Sequence, residues 1–337
     1  MNPDPPPTEL TIGKDLIEKA AITSDQAIIS IGKNAGEGKD RDIESSYYLT
    51  DNEKILIKNV ADAFHTRNKK VIVVLNIAGP VDVMQWRDNA DAILIGWQPG
   101  LEGGNAMADI LSGKVNPSGK LATTFAAAYT DDPTARNFPG KTFKDKPLPT
   151  LFGVTPYEAE VTYEEGVYVG YRYYNTFNVK PAYEFGYGMS YTDFTYSPVT
   201  MSAPAFTNEL TASVTVTNSG KFAGKEVVQL YISAPTKALD KPSAELKAFA
   251  KTGLLKPGES QTLTFTLTVR DLTSFQTKTS SWVADAGTYT VRIGTSQNVK
   301  QSASFKVPKT IVAEKVHKAV APKIEIHELV YKPTGKK

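Results

Sequence analysis

A glycine-rich loop between residues 32 and 42, GKNAGEGKDRD, holds the residues best suited to chemistry in this chain. One isolated carboxylate, Glu37, stands between two glycines, and the loop follows QAIISI, an apolar run typical of a buried strand. Glycine widens the conformations open to a backbone, and α/β folds bind ligands in loops at the carboxyl ends of parallel strands. The pattern is compatible with a general acid on a permissive loop or with an exposed turn glutamate.

Two other chemistries fit the sequence poorly. GKNAGEG lacks the Gly-Lys-Ser/Thr ending of a phosphate-binding loop, and Glu37 would repel an anion. The later PSGKLATT places Leu121 after its Gly-Lys pair. Because the chain has no cysteine and three scattered histidines, we expect no thiol chemistry, no metal site and no cofactor.

Net charge, hydrophobicity and length limit the partners and the number of domains expected for this chain. The 337 residues carry a formal net charge of +2, which is too small to indicate a nucleic-acid surface. No apolar run reaches membrane-spanning length. Because of the small net charge and the lack of such a run, we expect neither a nucleic acid nor a membrane as partner. The length predicts two domains.

The elements around the loop alternate between strand and helix. Short apolar runs at 26–32, 70–77 and 91–97 are typical of parallel strands buried on both faces. A capping box that starts at Thr50 and apolar residues at helical spacing predict a helix between the first two runs. We therefore predict an incomplete α/β sandwich domain, partially Rossmann-like, over residues 10–150.

The second half changes to an apolar–polar alternation of period two. LTASVTVT, VVQLYI, TLTFTLT and TYTVRIG alternate in this way, and turn signals such as KPGES separate them. This predicts an all-β, immunoglobulin-like sandwich over residues 197–308. A connector rich in tyrosine and glycine at 151–196 precedes the sandwich, and a basic tail at 309–337, expected to be solvated or to wrap another domain, follows it.

Four longer motifs in order carry a family resemblance: WQPGLEGGNAMADILSGKVNPSGKLATTF (97–125), YEEGVYVGYRYYNTF (163–177), YEFGYGMSYTDF (183–194) and PSAELKAFAKTGLLKPGES (242–260). Together they resemble the C-terminal half of glycoside hydrolase family 3, and most of all the pattern of its bacterial β-glucosidases. The resemblance implies a Rossmann-like α/β sandwich domain followed by a fibronectin type III-like domain. It also implies a retaining hydrolase that acts on terminal β-D-glucosyl residues of a β-linked oligosaccharide or glycoside.

The resemblance also assigns roles to individual residues. The family subgroup has a Gly-Glu-Gly-x-Asp-Arg loop whose glutamate protonates the glycosidic oxygen, and this role falls on Glu37 as general acid/base. The remaining candidates are expected to bind substrate or to support the loop: Asn34, Asp40, Arg41, Trp97 and Tyr168. Glu102 is a rival carboxylate, for which we expect a structural role at a helix N-terminus.

The family's nucleophile is an aspartate in an N-terminal barrel, within a Ser-Asp-Trp-like motif. No tryptophan of this chain is preceded by aspartate: Trp86, Trp97 and Trp282 follow Gln85, Gly96 and Ser281. We therefore expect the chain to supply only the acid/base, to be inactive alone, and to need a barrel domain in cis or on another chain.

Several alternatives stay open. β-Xyloside or α-arabinoside hydrolysis would belong to the same family. A non-catalytic carbohydrate-binding or structural module would instead predict aromatic residues along an exposed strand face, whereas the aromatic positions of the predicted strands fall on inward-facing registers. A homo-oligomer is open too, as is a cytoplasmic, periplasmic or secreted location.

Overall fold

The computed structural model describes residues 11–33, 41–150, 153, 155–236 and 238–332, which form two compact units. The first unit comprises residues 11–108, 125–131 and 135–162. The second comprises residues 109–124, 132–134 and the described residues from 163 onward. No helix among the described residues is long and apolar enough to cross a lipid bilayer.

The first unit alternates helices and strands before ending in a hairpin. Its elements are α1 (Lys14–Thr23), β1 (Gln26–Lys33), α2 (Asp51–His65), β2 (Lys70–Ile77), β3 (Ala92–Ile95), α3 (Gly103–Leu111, whose end passes into the second unit), β4 (Lys141–Pro147) and β5 (Tyr157–Glu160). The first three strands form a parallel sheet in the order β1-β2-β3, and β4 pairs with β5. β2 has its predicted bounds, while β3 is shorter than predicted because Trp97 adopts a left-handed φ of 54°.

Helix α2 begins at the predicted capping box and covers one face of the sheet. The Thr50 hydroxyl accepts a hydrogen bond from the Glu53 amide, and the Glu53 carboxylate accepts one from the Thr50 amide. The apolar stripe of the helix is buried, as are most side chains of β2. The buried residues are Ile57, Val60, Ala61, Ala63 and Phe64 of α2 and Val71, Val73, Val74, Leu75 and Ile77 of β2.

The second unit is a β-sandwich preceded by a short helix. Its elements are α4 (Tyr171–Thr176), β6 (Phe194–Tyr196), β7 (Thr200–Met201), β8 (Glu209–Asn218), β9 (Val227–Ser233), β10 (Glu245–Lys251), β11 (Ser260–Thr268), α5 (Val269–Leu272), β12 (Ser274–Gln276), β13 (Ser281–Ala284), β14 (Gly287–Gly294), β15 (Val299–Val307) and β16 (Ile311–Lys315). The main sheets have the orders β10-β9-β14-β15 and β11-β8-β6, with β7 also paired to β8.

The core of this sandwich comes from the alternating positions that the sequence indicated. Leu210, Val214, Leu230, Phe265 and Val291 are buried among its members, and polar residues between them face outward. An α/β region followed by a β-sandwich confirms the predicted fold class. The domain boundaries given above stay a prediction.

The tail combines mostly exposed side chains with a backbone that bonds to its own unit. Residues 311–315 form β16, which pairs with β13 in a third sheet of order β12-β13-β16. Farther along, the Leu329 amide donates to the Glu164 carbonyl over 2.6 Å, and the Tyr331 amide donates to Asp240 over 3.0 Å. The tail therefore packs on its own unit instead of standing free in solvent, because its backbone finds hydrogen-bonding partners there.

Candidate active site

The loop that carries the predicted acid begins where β1 ends. Asn34, Glu37 and Asp40 lie outside the described residues, whereas Lys33 and Arg41 on either side are described. β1 and β2 run parallel in unbroken register, so Lys33 lies at the carboxyl end of the sheet. This is the edge at which open α/β sheets bind ligands.

The first end of the loop is fixed by an ion pair. The Lys33 ammonium lies 2.6 Å from the Glu53 carboxylate, and these side chains are only 8% and 13% exposed. The same carboxylate oxygen accepts the Thr50 amide, and the ammonium also donates to the Ser45 carbonyl over 3.3 Å. The residue before the loop is therefore tied to the N-terminus of α2.

The second end is fixed by a guanidinium group. Arg41 Nε donates to Ser46 Oγ over 3.0 Å, Nη2 donates to the Ser46 carbonyl over 2.7 Å, and Nη1 donates to the Pro80 carbonyl over 2.8 Å. Burial lowers the pKa of Arg41, although an arginine stays charged at neutral pH. A Cβ on Gly79 would lie 2.8 Å from Nη1, so a larger residue there would have to displace the guanidinium.

Both attachments meet on one turn of the chain. Residues Ile43–Tyr47 form a single π-helical turn, and Asp42 caps it by accepting the Ser45 amide and hydroxyl, each at 2.8 Å. Lys33 bonds to Ser45 and Arg41 bonds to the adjacent Ser46. The two residues that flank 34–40 are therefore anchored to neighbouring positions of the same turn.

Two tyrosine rings and one aspartate contact Tyr47, the last residue of this turn. The Tyr47 ring meets the rings of Tyr48 and Tyr129 edge-on, with centroids 5.1 and 5.3 Å away. Asp82 is 3% exposed, and its amide donates to the Tyr47 carbonyl over 2.9 Å. Burial raises the pKa of Asp82, against hydrogen bonds from the backbone of the turn that follows it.

Sequence reasoning missed most of these supporting residues. Lys33 had a usable signal, because it continues the inward-facing series of Ile29 and Ile31 on β1. A charged residue at an inward position requires a partner. Tyr129 and Asp82 carried no local signal, since distant segments bring them to the turn.

Trp97 lies beyond the end of β3 and packs inside the first unit. Its ring is half-buried and lies 6.0 Å, centroid to centroid, from the fully buried ring of Phe125. The left-handed φ of 54° is strained for a tryptophan. A role in substrate binding or loop support stays a prediction for this residue.

Tyr168 is enclosed in the second unit. It is 0% exposed, its hydroxyl donates to Asp240 over 2.7 Å, and its ring meets Phe177 edge-on at 5.1 Å. Burial and the neighbouring carboxylate raise the pKa of Tyr168. Its side chain is therefore enclosed by the second unit, and a role in substrate binding or loop support stays a prediction for this residue.

Glu102 and the exposed aromatics bear on the alternatives. Glu102 is exposed directly before α3 and accepts Asn105 Nδ2 over 2.6 Å, as expected for a helix N-terminus. The aromatic residues of the predicted strands, Tyr231, Phe265 and Tyr289, are buried as expected, whereas Phe249 and Phe275, on strands that were not predicted, are 70% and 36% exposed. These two exposed residues belong to different sheets, so they form no continuous array.

Within the described ranges, no group of three or more histidine, aspartate or glutamate side chains is placed to hold a metal ion.

Comparisons with known families match nearly the whole chain. The glycosyl hydrolase family 3 C-terminal domain matches residues 12–171, and a fibronectin type III-like domain matches residues 226–297. The chain is 37% identical to beta-glucosidase A of Butyrivibrio fibrisolvens, over 93% of its own length and 41% of that protein. It is 36% identical to thermostable beta-glucosidase B of Acetivibrio thermocellus, over 88% of its own length and 37% of that protein.

Solved structures give the same result. Beta-glucosidase 3B from Thermotoga neapolitana, solved in complex with glucose, superposes with a TM-score of 0.82 at 46% identity, covering 90% of this chain and 41% of that one. A beta-glucosidase from Paenibacillus barengoltzii gives 0.81 at 34% identity, covering 94% and 34%. The chain thus spans 41% or less of the length of each of these four proteins.

Proposed function

Because this chain carries the C-terminal domain of glycosyl hydrolase family 3 followed by a fibronectin type III-like domain, we propose that it forms the acid/base part of a retaining β-glucosidase. Glu37 is the general acid/base. The nucleophile belongs to a barrel domain, in cis or on another chain, and the chain by itself does not turn over substrate.

The observation that carries this proposal is the double attachment of the loop around Glu37. A retaining glycosidase needs its two carboxyl groups about 5–5.5 Å apart, one acting as nucleophile and the other as acid/base. A glutamate on a long loop meets that requirement only if the ends of the loop are fixed. Lys33 and Arg41 supply this fixation through the turn Ile43–Tyr47.

The chemistry assigned to this chain is proton transfer in two steps. Glu37 donates its proton to the glycosidic oxygen as the bond to the anomeric carbon breaks and the nucleophile forms the glycosyl-enzyme bond. The resulting carboxylate then removes a proton from water, whose oxygen attacks the anomeric carbon and releases the sugar. Arg41, fixed at one end of the loop, keeps the carboxyl group in place for both steps.

The decisive experiment is a complementation assay. Hydrolysis of p-nitrophenyl β-glucoside is measured for the chain alone and after mixing with a separately expressed family barrel. We expect activity only in the mixture, and a fall in kcat of roughly 10²–10⁴-fold for Glu37→Gln with KM little changed.

The matched control is Glu102→Gln, which removes an exposed carboxylate that precedes α3. This variant should keep the activity of the mixture. Turnover by the chain alone at ordinary glycosidase rates would refute the missing-nucleophile part of the proposal. Equal losses in Glu37→Gln and Glu102→Gln would refute the assignment of the acid.

The β-glucosidase relatives favour glucosides as the substrate class. The same assay with p-nitrophenyl β-xyloside and α-arabinoside decides between them, because the highest kcat/KM identifies the preferred sugar. Sugar binding by the chain without turnover in any mixture would instead support the carbohydrate-binding module.

A further inference from the structure

Strand β11 forms an open edge of the sandwich. It has nine residues, Ser260–Thr268, and pairs with β8 from Ser260↔Thr217 to Thr268↔Glu209 without a register shift. Among the described strands, none pairs with its other side. A long, regular edge presents a row of unpaired amide and carbonyl groups that can accept another strand.

Every other edge strand of the second unit has a feature that prevents such pairing. β10 carries Lys247 and Lys251 and a register shift, and β15 carries Lys300 and Lys306. β16 has only five residues and ends in a charged pair, while β6, β7 and β12 have three residues or fewer. Charges, irregularities and short length are the devices by which proteins protect their sheet edges. β11 has none of these.

The exposed face of β11 is uncharged and rich in hydroxyl groups. Its outward residues are Ser260, Thr262, Thr264, Thr266 and Thr268. Three of them already pair with hydroxyls of β8, in the pairs Ser213–Thr264, Thr215–Thr262 and Thr217–Ser260 at 2.7 to 2.8 Å. The face therefore extends a hydroxyl ladder to the edge and carries no charge of its own, although at its end the Asp271 carboxylate accepts the Thr268 amide and hydroxyl, each over 2.7 Å.

We propose that β11 is a homodimer interface, at which two copies of this chain pair their β11 strands antiparallel about a two-fold axis near Thr264. In this register Thr264 faces itself, and Thr262 faces Thr266 of the second copy. Every outward pair then joins two hydroxyl side chains, as in the existing ladder between β8 and β11.

The charges at the two ends of the strand also fit a second copy. Glu259 precedes β11 and Arg270 follows it, and both side chains are exposed. Within its own copy Arg270 already pairs with Glu314 over 3.1 Å and lies 3.7 Å over the Trp282 ring, so the second copy's Glu259 would share it. Antiparallel pairing brings each glutamate toward the arginine of the other copy, whereas parallel pairing would oppose like charges. A two-fold pairing uses both edges at once, so it closes at two copies and does not propagate into fibres.

The test is sedimentation velocity of the full chain over a concentration series, which needs no catalytic activity. We expect a concentration-dependent dimer of twice the 36.7 kDa chain mass. Thr264→Lys and Thr264→Glu each place two like charges at the axis and should weaken dimerisation by roughly tenfold or more. An equimolar mixture of the two variants places opposite charges there and should restore the dimer.

The control is Thr288→Lys, an exposed position on the interior strand β14, which should dimerise like the wild type. Thermal melts of all variants confirm that they are folded. A wild type that stays monomeric up to its solubility limit would overturn the proposal. A dimer that survives both Thr264 substitutions, or a mixture that fails to reassociate, would overturn it equally.

Discussion

The guanidinium of Arg41 makes a set of hydrogen bonds that a lysine ammonium in its place could not make. Three of its five N–H groups reach one hydroxyl and two carbonyl oxygens on separate segments of the first unit. A lysine ammonium is a point charge without this planar fork, so an exchange that preserves charge would lose most of the bonds. The geometry at the end of the loop therefore depends on the shape of the cation as well as on its charge.

We predict that Arg41→Lys lowers the free energy of unfolding by about 1–3 kcal/mol, because partly buried carbonyl groups lose their donors. In the complemented enzyme it should also lower kcat more than it raises KM, since the loop holding Glu37 is then less well placed. Chemical denaturation and steady-state kinetics measure these effects.

Arg67→Lys is the matched control for this prediction, because Arg67 bonds to Ala63 and Glu18 elsewhere in the same unit. It should lose stability without a selective loss of kcat. An equal loss of kcat in both variants would show that Arg41 acts only through general stability.

Protonation of Asp91 at low pH should make the first unit less stable. Although partial burial raises its pKa, bonds from the Lys70 ammonium, the Val71 amide and His65 lower the pKa further, to about 2. An unfolded aspartate titrates near 3.9. Its carboxylate therefore stabilises the fold above about pH 4, and this stabilisation is lost as the pH falls from about 4 to about 2.

We predict that Asp91→Asn removes this part of the acid sensitivity. The variant should be less stable than the wild type at neutral pH by about 1 kcal/mol, because water and salt screen such ion pairs. The two proteins should become equally stable near pH 2. Urea unfolding at a series of pH values checks this, and a constant difference down to pH 2 would contradict it.

Single residues of the site could be proposed from the sequence only where they stand in a short motif, as Glu37 and Arg41 do, and their roles stay predictions. Asp82 offered no such motif, because it contacts the turn Ile43–Tyr47 only through the fold. The burial of Tyr168 could not be predicted either, because it depends on Asp240, far along the chain.

At the scale of elements, the ion pair between Lys33 and Glu53 joins the end of a strand to the start of a helix. Glu53 completes the capping box of α2 and pairs with the last residue of β1 through the same oxygen. The helix N-terminus and the loop end are therefore held by one carboxylate, and a disturbance at either should be felt at the other.

We predict that Glu53→Gln costs about 3 kcal/mol of stability, because it leaves the nearly buried Lys33 ammonium without its counter-charge. The glutamine still offers an acceptor to Thr50, so the loss reports on the ion pair. Adding Lys33→Met should recover part of the loss, and denaturant unfolding of the single and double variants measures the coupling. Additive effects would show that the pair is not coupled.

The elements whose bounds could be predicted are those with local signals. The apolar run at 70–77 and the alternation in β8, β11 and β14 lie within the strands that they describe. β16 was not predicted, because its strand conformation depends on pairing with β13 and not on its own sequence. β3 ended early for a comparable reason, since Gly96 and Trp97 are fixed by their surroundings.

At the scale of the whole molecule, the tail completes the second unit. The Asp240 carboxylate accepts the Tyr168 hydroxyl on one oxygen and the Tyr331 amide on the other, and the Tyr331 ring meets Phe177 at 5.3 Å. A connector residue, a sandwich loop and the tail are therefore joined at one carboxylate.

We predict that removing residues 326–337 lowers the melting temperature by about 4–8 °C, since it takes away two backbone hydrogen bonds and the packing of Tyr331. Lys332→Ala, at an exposed position beside Tyr331, should leave the melting temperature unchanged. Differential scanning calorimetry measures both. Equal melting temperatures for the long truncation and the intact chain would show that the tail contributes no stability.

The carboxylate of Asp240 also sets an order of events during synthesis. Tyr168 and Asp240 leave the ribosome well before Tyr331, so the contacts between the connector and the tail cannot form until Tyr331 has been translated. Domains tend to fold as they emerge, from the N-terminal side first. The first unit can therefore fold before the second unit has all of its contacts. Translation that stops before residue 331 would release a chain in which Asp240 lacks its hydrogen bond to the tail.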